Sequence, residues 1–83
     1  MTREDWMQNF GENLQELLNI KGINQRQLSE LTGIPTSTIS NYIIGKSMVS
    51  GEAIVKIFYA LDDIRVGHSI DYFDLLDFGD TID

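Results

Sequence analysis

The sequence predicts an all-α protein, a compact bundle of five short helices. Two observations predict this fold class: apolar residues recur at helical spacing in successive segments, and residues that favour helix starts and stops bracket those segments. With 83 residues and no internal repeat, the chain is long enough for one small core. We place a single domain at residues 1–77 and a short acidic tail at residues 78–83.

Composition excludes several classes of protein. The chain has no cysteine, which rules out a disulfide framework and a thiolate metal site. Its longest apolar runs are only a few residues, too short for a membrane span. The stretch "MTREDWMQNF" is charged and lacks the apolar core of a signal peptide. We therefore expect a soluble, cytoplasmic domain that contacts no membrane.

Charge is distributed unevenly along the chain. The formal net charge is -7. Residues 1–60 carry five basic and six acidic residues, whereas residues 61–83 carry one basic and seven acidic residues. Between Ile23 and Ser50, Arg26 and Lys46 outnumber Glu30. The acidity therefore belongs to the C-terminal quarter, and the charge of the preceding body permits binding to nucleic acid without indicating it.

The first helix is predicted to begin at Thr2, which forms a capping-box pattern with Asp5 three residues later. Lys21 suits the negative end of the helix, and Gly22 is a favourable C-terminal cap. The apolar stripe of this helix consists of Trp6, Phe10, Leu14, Leu17 and Leu18. We interpret this stripe as core.

The second helix has a clear start signal in the segment "INQRQLSELTGIP". Asn24 is a preferred N-cap, and Gln27 completes a capping box. Ile23 and Leu28 stand at the two positions of a hydrophobic staple. Gly33 ends the helix, so a tight turn follows.

The third helix is predicted to run from Pro35 to Ile44, with Gly45 as its stop. At 100° per residue, Tyr42 and Ile43 lie near Ile39 on the side that faces the core. The opposite side carries Ser37, Asn41 and Ile44, with Thr38 and Ser40 at its flanks. This outward face is small and polar except for Ile44.

The fourth helix repeats the same entry pattern, with Ser50 as N-cap and with Val49 and Ile54 as the staple pair. Its predicted buried stripe is Ile54, Ile57, Phe58 and Leu61. After a loop that contains His68, Ser69 is placed to cap a short fifth helix. The apolar residues of that helix are Ile70, Phe73 and Leu76.

The segment from about Phe10 to Leu61 resembles the lambda-repressor-like (Cro/repressor, xenobiotic-response-element type) helix-turn-helix domains. The resemblance is carried by "Q-x-x-L-S-x-x-T-G-I", "S-T-I-S-x-Y" and "G-K" between Gln25 and Lys46, followed by the capped helix at Ser50. It implies a sequence-specific, repressor-type DNA-binding transcriptional regulator of bacterial or phage origin. The third helix would enter the major groove of double-stranded DNA.

The family's contact positions carry over to individual residues of this chain. Positions that reach base edges are matched by Thr36, Ser37, Thr38 and Asn41. The phosphate-contacting positions of the family are matched by Gln25, Lys46 and the helix end at Ser50. The neighbouring base Arg26 is a further expected phosphate contact. Ile43 and Ile44 replace residues that are often polar or charged in the family. Because the face lacks Arg and Lys, we expect modest affinity and a preference for sites that contain A·T pairs.

Because each copy makes few charged contacts with DNA, we expect the protein to bind as a homodimer. The dimer would bind two half-sites about 34 Å apart. The sequence does not identify the dimer surface. The predicted fifth helix is our candidate, through Ile70, Tyr72, Phe73 and Leu75.

Other functions stay open from sequence alone. A protein-interaction module that keeps the fold without reading DNA would use Ile43 and Ile44 as its patch, with Ile70, Tyr72 and Phe73 as further contact residues and the acidic end facing a basic partner. In a third hypothesis, residues 71–83 compete with DNA for the side that carries Arg26 and Lys46. Catalysis has no support, because no nucleophile-and-base arrangement or phosphate-binding loop is present. We expect no enzyme activity, cofactor or metal.

Overall fold

A computed structural model describes residues 1–64 and 75–76 of the chain. The described residues form four helices, α1 (Arg3–Lys21), α2 (Gln25–Thr32), α3 (Thr36–Ile43) and α4 (Gly51–Asp62). The all-helical class is confirmed for this part, but the predicted number of five helices is wrong. Leu75 and Leu76 have helical backbone, while the other residues of the predicted fifth helix, and the acidic tail, lie outside the described residues. That prediction rested on one cap and three apolar positions, too little to define a helix whose stability depends on packing.

The predicted helix starts are confirmed by hydrogen bonds. At α1, the Asp5 N–H donates to Thr2 Oγ1 at 3.1 Å, and the Thr2 N–H donates to Asp5 Oδ2 at 3.4 Å. At α2, the same reciprocal pair between Asn24 and Gln27 has distances of 2.8 and 2.9 Å. At α4, Ser50 Oγ accepts from the Ala53 N–H at 3.1 Å. Each cap satisfies N–H groups that the first helical turn leaves without an acceptor.

The third helix is shorter by one residue at each end than predicted. Pro35 is its N-cap, and the Pro35 carbonyl accepts from the N–H groups of Thr38 and Ile39. At the other end Gly45 takes φ +76°, the left-handed conformation that favours glycine. The Gly45 N–H donates to Tyr42 O at 3.2 Å, and the Lys46 N–H donates to Asn41 O at 2.9 Å. These two bonds form a Schellman motif, which ends the helix and fixes the backbone of Lys46 against it.

The core lies between the four helices. Helix α1 packs against α3 and α4, and α2 packs against the same two helices. The buried apolar residues are Phe10, Leu14, Leu17, Leu18, Leu28, Ile34, Ile39, Tyr42, Val49, Ala53, Ile57, Leu61 and Leu75. Trp6 is only half-buried and stacks on Phe10, with ring centroids 5.5 Å apart. Each fully buried leucine or isoleucine contributes about 1.5–3 kcal/mol through burial alone.

Two polar side chains of α1 bind backbone carbonyls far along the chain. Lys21 is 3% exposed, and its Nζ donates to the Ile64 carbonyl just beyond α4 at 2.9 Å. Asn13 Nδ2 donates to the Leu75 carbonyl at 3.0 Å. Leu75 is fully buried, so its proposed place on a dimer surface is wrong. Its side chain lies in the core, and its carbonyl is bound by Asn13 of α1.

Gly11 allows a close backbone contact between α1 and the C-terminal end of α3. A Cβ added to this buried glycine would lie 2.2 Å from the Ile43 carbonyl oxygen and 2.6 Å from that of Tyr42. Backbone atoms cannot rotate away as a flexible side chain can. The absence of a side chain at Gly11 therefore determines how near α1 lies to the C-terminal end of α3.

Replacing Gly11 with alanine should lower the free energy of unfolding by about 1–3 kcal/mol, the usual cost of overpacking a core. Gly51→Ala is the matched control, because no atom lies within 4 Å of an added Cβ there. Chemical denaturation of both variants checks the prediction. Equal stability of the two variants would contradict the close contact.

Candidate nucleic-acid interface

The turn between α2 and α3 is held by two hydroxyl side chains. Ser29 Oγ donates to the Ile34 carbonyl at 2.6 Å. Thr32 Oγ1 donates to Leu28 O at 2.8 Å and accepts from the Ile34 N–H at 3.1 Å. Ile34 is itself buried. Both backbone groups of Ile34 are therefore satisfied by α2, which fixes the angle at which the chain enters α3.

The outward side of α3 carries the residues that the sequence predicts for base contacts. Thr36 and Ser37 are exposed, and Thr38 and Asn41 are half-buried. Within the described residues, none of these four side chains takes part in a hydrogen bond. Ile39 and Tyr42 are buried on the other side, as predicted. The helix thus presents hydroxyl and amide groups whose donors and acceptors are open to a partner.

The beginnings of α2 and α4 leave backbone N–H groups uncapped. The Asn24 side chain occupies the N–H of Gln27, and the Ser50 side chain that of Ala53. The first two N–H groups of each helix have no intrahelical acceptor. Such groups favour an anion, because the helix dipole is positive at this end. Since the Ser50 hydroxyl serves as a cap, a phosphate there would meet mainly backbone N–H groups.

Two cations border this surface in the described structure. Arg26 forms an exposed ion pair with Glu30, with 3.6 Å between Nε and Oε1. An exposed pair of this kind contributes only about 0–1 kcal/mol, so Arg26 is easily redirected to a phosphate. Lys46 is exposed, and its backbone is fixed by the Schellman motif at the end of α3. The positive charge here is small.

The predicted Ile43/Ile44 patch is divided by the fold. Ile43 is half-buried and packs against the core, whereas Ile44 is 65% exposed. Of the remaining predicted interaction residues, Ile70, Tyr72 and Phe73 lie outside the described residues. Ile44 alone continues the outward line of Ser37 and Asn41 as an apolar group.

Residues 1–64 and 75–76 contain no group of three or more His, Cys, Asp or Glu side chains arranged to hold a metal ion. None of their helices combines the length and apolar character needed to cross a membrane.

Sequence reasoning did not find the roles of Gly11, Ser29 and Thr32. The two hydroxyls had a detectable signal, because Ser and Thr beside a turn often bond to nearby backbone groups. Gly11 had none, since its contact with α3 joins segments distant in sequence.

The chain is similar to a known protein family and to a protein of known structure. Residues 14–64 match a family model described as Helix-turn-helix. Among solved structures, the chain is similar to the high-resolution crystal structure of the restriction-modification controller protein C.AhdI from Aeromonas hydrophila. The sequence identity is 32%, the similarity covers 83% of this chain and 94% of that one, and the TM-score is 0.71. No curated protein matches the chain significantly.

Ser29→Ala should lower the free energy of unfolding by about 1–3 kcal/mol, because the Ile34 carbonyl loses its donor in a part-buried position. Ser37→Ala removes the same hydroxyl from an exposed site and should change stability by less than about 0.5 kcal/mol. Urea denaturation of both variants checks the difference. A Ser29 variant as stable as the Ser37 variant would show that the turn does not depend on this bond.

Proposed function

The chain belongs to the lambda-repressor-like (Cro/C1-type) helix-turn-helix family of DNA-binding transcription regulators, and we propose that it is a sequence-specific, repressor-type member that places α3 in the major groove. The observation that carries this proposal is the outward face of α3. Its four polar side chains have no hydrogen bonds within the described residues, while the backbone that holds them is fixed at both ends. A rigid helix with uncommitted polar groups suits the reading of base edges.

The residue types on this face favour particular bases. The Asn41 amide can bond both N6 and N7 of adenine. The hydroxyls of Thr36, Ser37 and Thr38 can donate or accept, and a threonine methyl can contact the methyl of thymine. The described α3 carries no Arg or Lys for the common two-bond contact with guanine. We therefore propose that the base pairs contacted by α3 in its DNA site include A·T pairs.

Phosphate contacts would set the position of α3 in the groove. Gln25 and the open N–H groups at the start of α2 form one anchor, with Arg26 beside them. Lys46 forms a second anchor at the end of α3, and the N-terminal turn of α4 at Ser50 forms a third. Because backbone N–H groups can bind phosphate themselves, part of this anchoring does not require basic side chains.

We further propose that the active form is a homodimer on two half-sites about 34 Å apart. A single copy brings only Arg26 and Lys46 to its phosphate contacts, and each neutralised phosphate adds to affinity through counterion release. Two linked copies bind with far greater combined affinity than one. The similarity to a restriction-modification controller protein supports a proposed role in controlling the genes of a restriction-modification system.

A second candidate function is favoured by one observation, the 65% exposure of Ile44 beside the polar face. An apolar side chain in this place suits a protein partner that covers the same surface. In that case any DNA binding would be weak and would depend little on salt. The two functions are thus separable by the same titrations.

Selection from a random duplex pool at low salt should enrich a two-fold-symmetric site for the wild-type protein. The Ser37→Ala/Asn41→Ala variant should lose that enrichment, since each lost base contact costs about 1–3 kcal/mol of discrimination. Neither side chain forms a hydrogen bond with any other described residue, so circular dichroism should show equal folding. A variant that enriches the same site, or a folded wild type that enriches none, would contradict base reading by this face.

Lys46→Ala should weaken binding to selected and unrelated duplexes by a similar factor. The slope of log K against log salt should decrease in magnitude by about 2 for the dimer, because each of its two half-sites loses one phosphate contact. Lys46→Arg keeps the charge and serves as the control, with a slope close to wild type. An unchanged slope for the alanine variant would show that Lys46 does not contact a phosphate.

A further inference from the structure

We propose that the groove between the C-terminal end of α2 and the outward side of α4 is the surface on which a second copy of this chain docks. We name it the α2–α4 groove, and its walls are formed by Leu31, Thr32, Val55, Lys56, Tyr59, Ala60, Asp63 and Ile64. The inference rests on the proposed function in one respect, since it gives the proposed homodimer its contact surface.

The groove gathers exposed apolar side chains. Leu31 is 56% exposed, Val55 is 41% exposed and Tyr59 is 64% exposed. These are three of the six large apolar residues that the described part of the chain exposes. Val55 and Tyr59 are one helical turn apart on α4, opposite the buried stripe of Ile57 and Leu61. The space between the two helices is about 520 Å³ and open to solvent.

The charges along the groove identify a second copy as its occupant. Lys56 and Asp63 both line the groove, and they lie nearly two turns, about 10 Å, apart along α4. Asp63 follows the helix in αR conformation, so it stays in line with Lys56. The groove therefore has a positive group towards one end and a negative group towards the other. Between them lies the apolar part with Tyr59.

Such a pattern is complementary to itself. In a two-fold contact, when residue i of one copy meets residue j of the other, j of the first also meets i of the second. A two-fold axis beside Tyr59 and Ala60 brings Lys56 of each copy to Asp63 of the other, with α4 antiparallel to its symmetry mate. The tyrosines then lie at the centre, where aromatic side chains contribute most to binding. Within one copy Lys56 forms an exposed ion pair with Glu52 at 3.0 Å, and in the dimer its ammonium would turn from Glu52 to Asp63 of the other copy.

The groove is compatible with the proposed DNA contacts. None of its wall residues is among the predicted base or phosphate contacts, so a second copy need not displace DNA. It also replaces part of our earlier candidate surface, because Leu75 is buried in the core. The apolar area is small beside the roughly 800 Å² per partner of a standard interface. We therefore expect a dissociation constant in the micromolar range or weaker without DNA.

Sedimentation equilibrium of the full chain without DNA tests the apolar contact. The wild type should dimerise, and Tyr59→Ala should raise the dimer dissociation constant at least tenfold. Met48→Ala is the control, because Met48 is an exposed apolar residue between α3 and α4 and is not a wall residue of the groove. It should leave the constant within twofold of wild type. A wild type that stays monomeric at millimolar concentration, or a Tyr59 variant that dimerises like wild type, would overturn the proposal.

Charge exchange tests the two-fold arrangement. Lys56→Asp and Asp63→Lys should each weaken self-association, because each places like charges together in both symmetric contacts. The double variant should recover it to within about threefold of wild type. An equimolar mixture of the two single variants should form heterodimers at least tenfold more tightly than either forms homodimers. No preference for heterodimers would exclude this pairing, and thermal melts confirm that every variant is folded.

These outcomes are independent of DNA binding. If the selected DNA site is two-fold symmetric but the groove variants dimerise like wild type, the proposed function stands and the groove is not the dimer surface. If the groove variants become monomeric while the wild type enriches no DNA site, the groove proposal stands and the DNA function fails.

Discussion

The position of the C-terminal end of α3 depends on one backbone contact, that of Gly11 with the carbonyl groups of Tyr42 and Ile43. Because the two helices meet without an intervening side chain, α1 serves as a flat support for the end of α3. The Schellman motif lies at the same end, and it places Lys46 directly beyond the contact. At the other end, Ser29 and Thr32 satisfy Ile34 in the turn. The helix is therefore held at both ends, and its outward side chains need no internal bonds to stay in place.

An acidic chain can present a DNA-binding surface because net charge is a property of the whole sequence and a binding surface is local. Of the formal charge of -7, residues 61–83 account for -6. Among the described residues, Arg26 and Lys46 are the basic side chains that we propose as phosphate contacts, so electrostatics from these two supports only weak binding. Helix N-termini add anion-binding groups that no count of lysine and arginine registers. The combination favours modest DNA affinity per copy, and this is one reason for proposing that two copies bind together.

Local features were predictable from the sequence, whereas contacts between distant segments were not. The capping pairs Thr2/Asp5 and Asn24/Gln27 join residues three apart, so the sequence contains all the information that specifies them. Lys21 shows the limit: its position suggested an interaction with the end of its own helix, yet its ammonium binds Ile64 beyond α4. The buried position of Leu75 was not predicted either, because it also depends on contacts between segments that are distant in sequence. The proposed base-reading face was predicted from periodicity and family resemblance together, but the contacts of Ser29 and Gly11 that position α3 were not predicted.

The outward side of α4 shows how one helix can join two functions. Its inner side buries Ile57 and Leu61 in the core, and its C-terminal end is tied to α1 through the bond from Lys21 to Ile64. Its N-terminal turn at Ser50 is a proposed phosphate anchor, and its outer side forms a wall of the α2–α4 groove. Because a helix fixed in this way moves as a rigid body with the core, the docking geometry of two copies would determine the separation of their two recognition helices. In the proposed dimer, α4 would therefore set the spacing of the two half-sites, while the side chains of α3 would contact their bases.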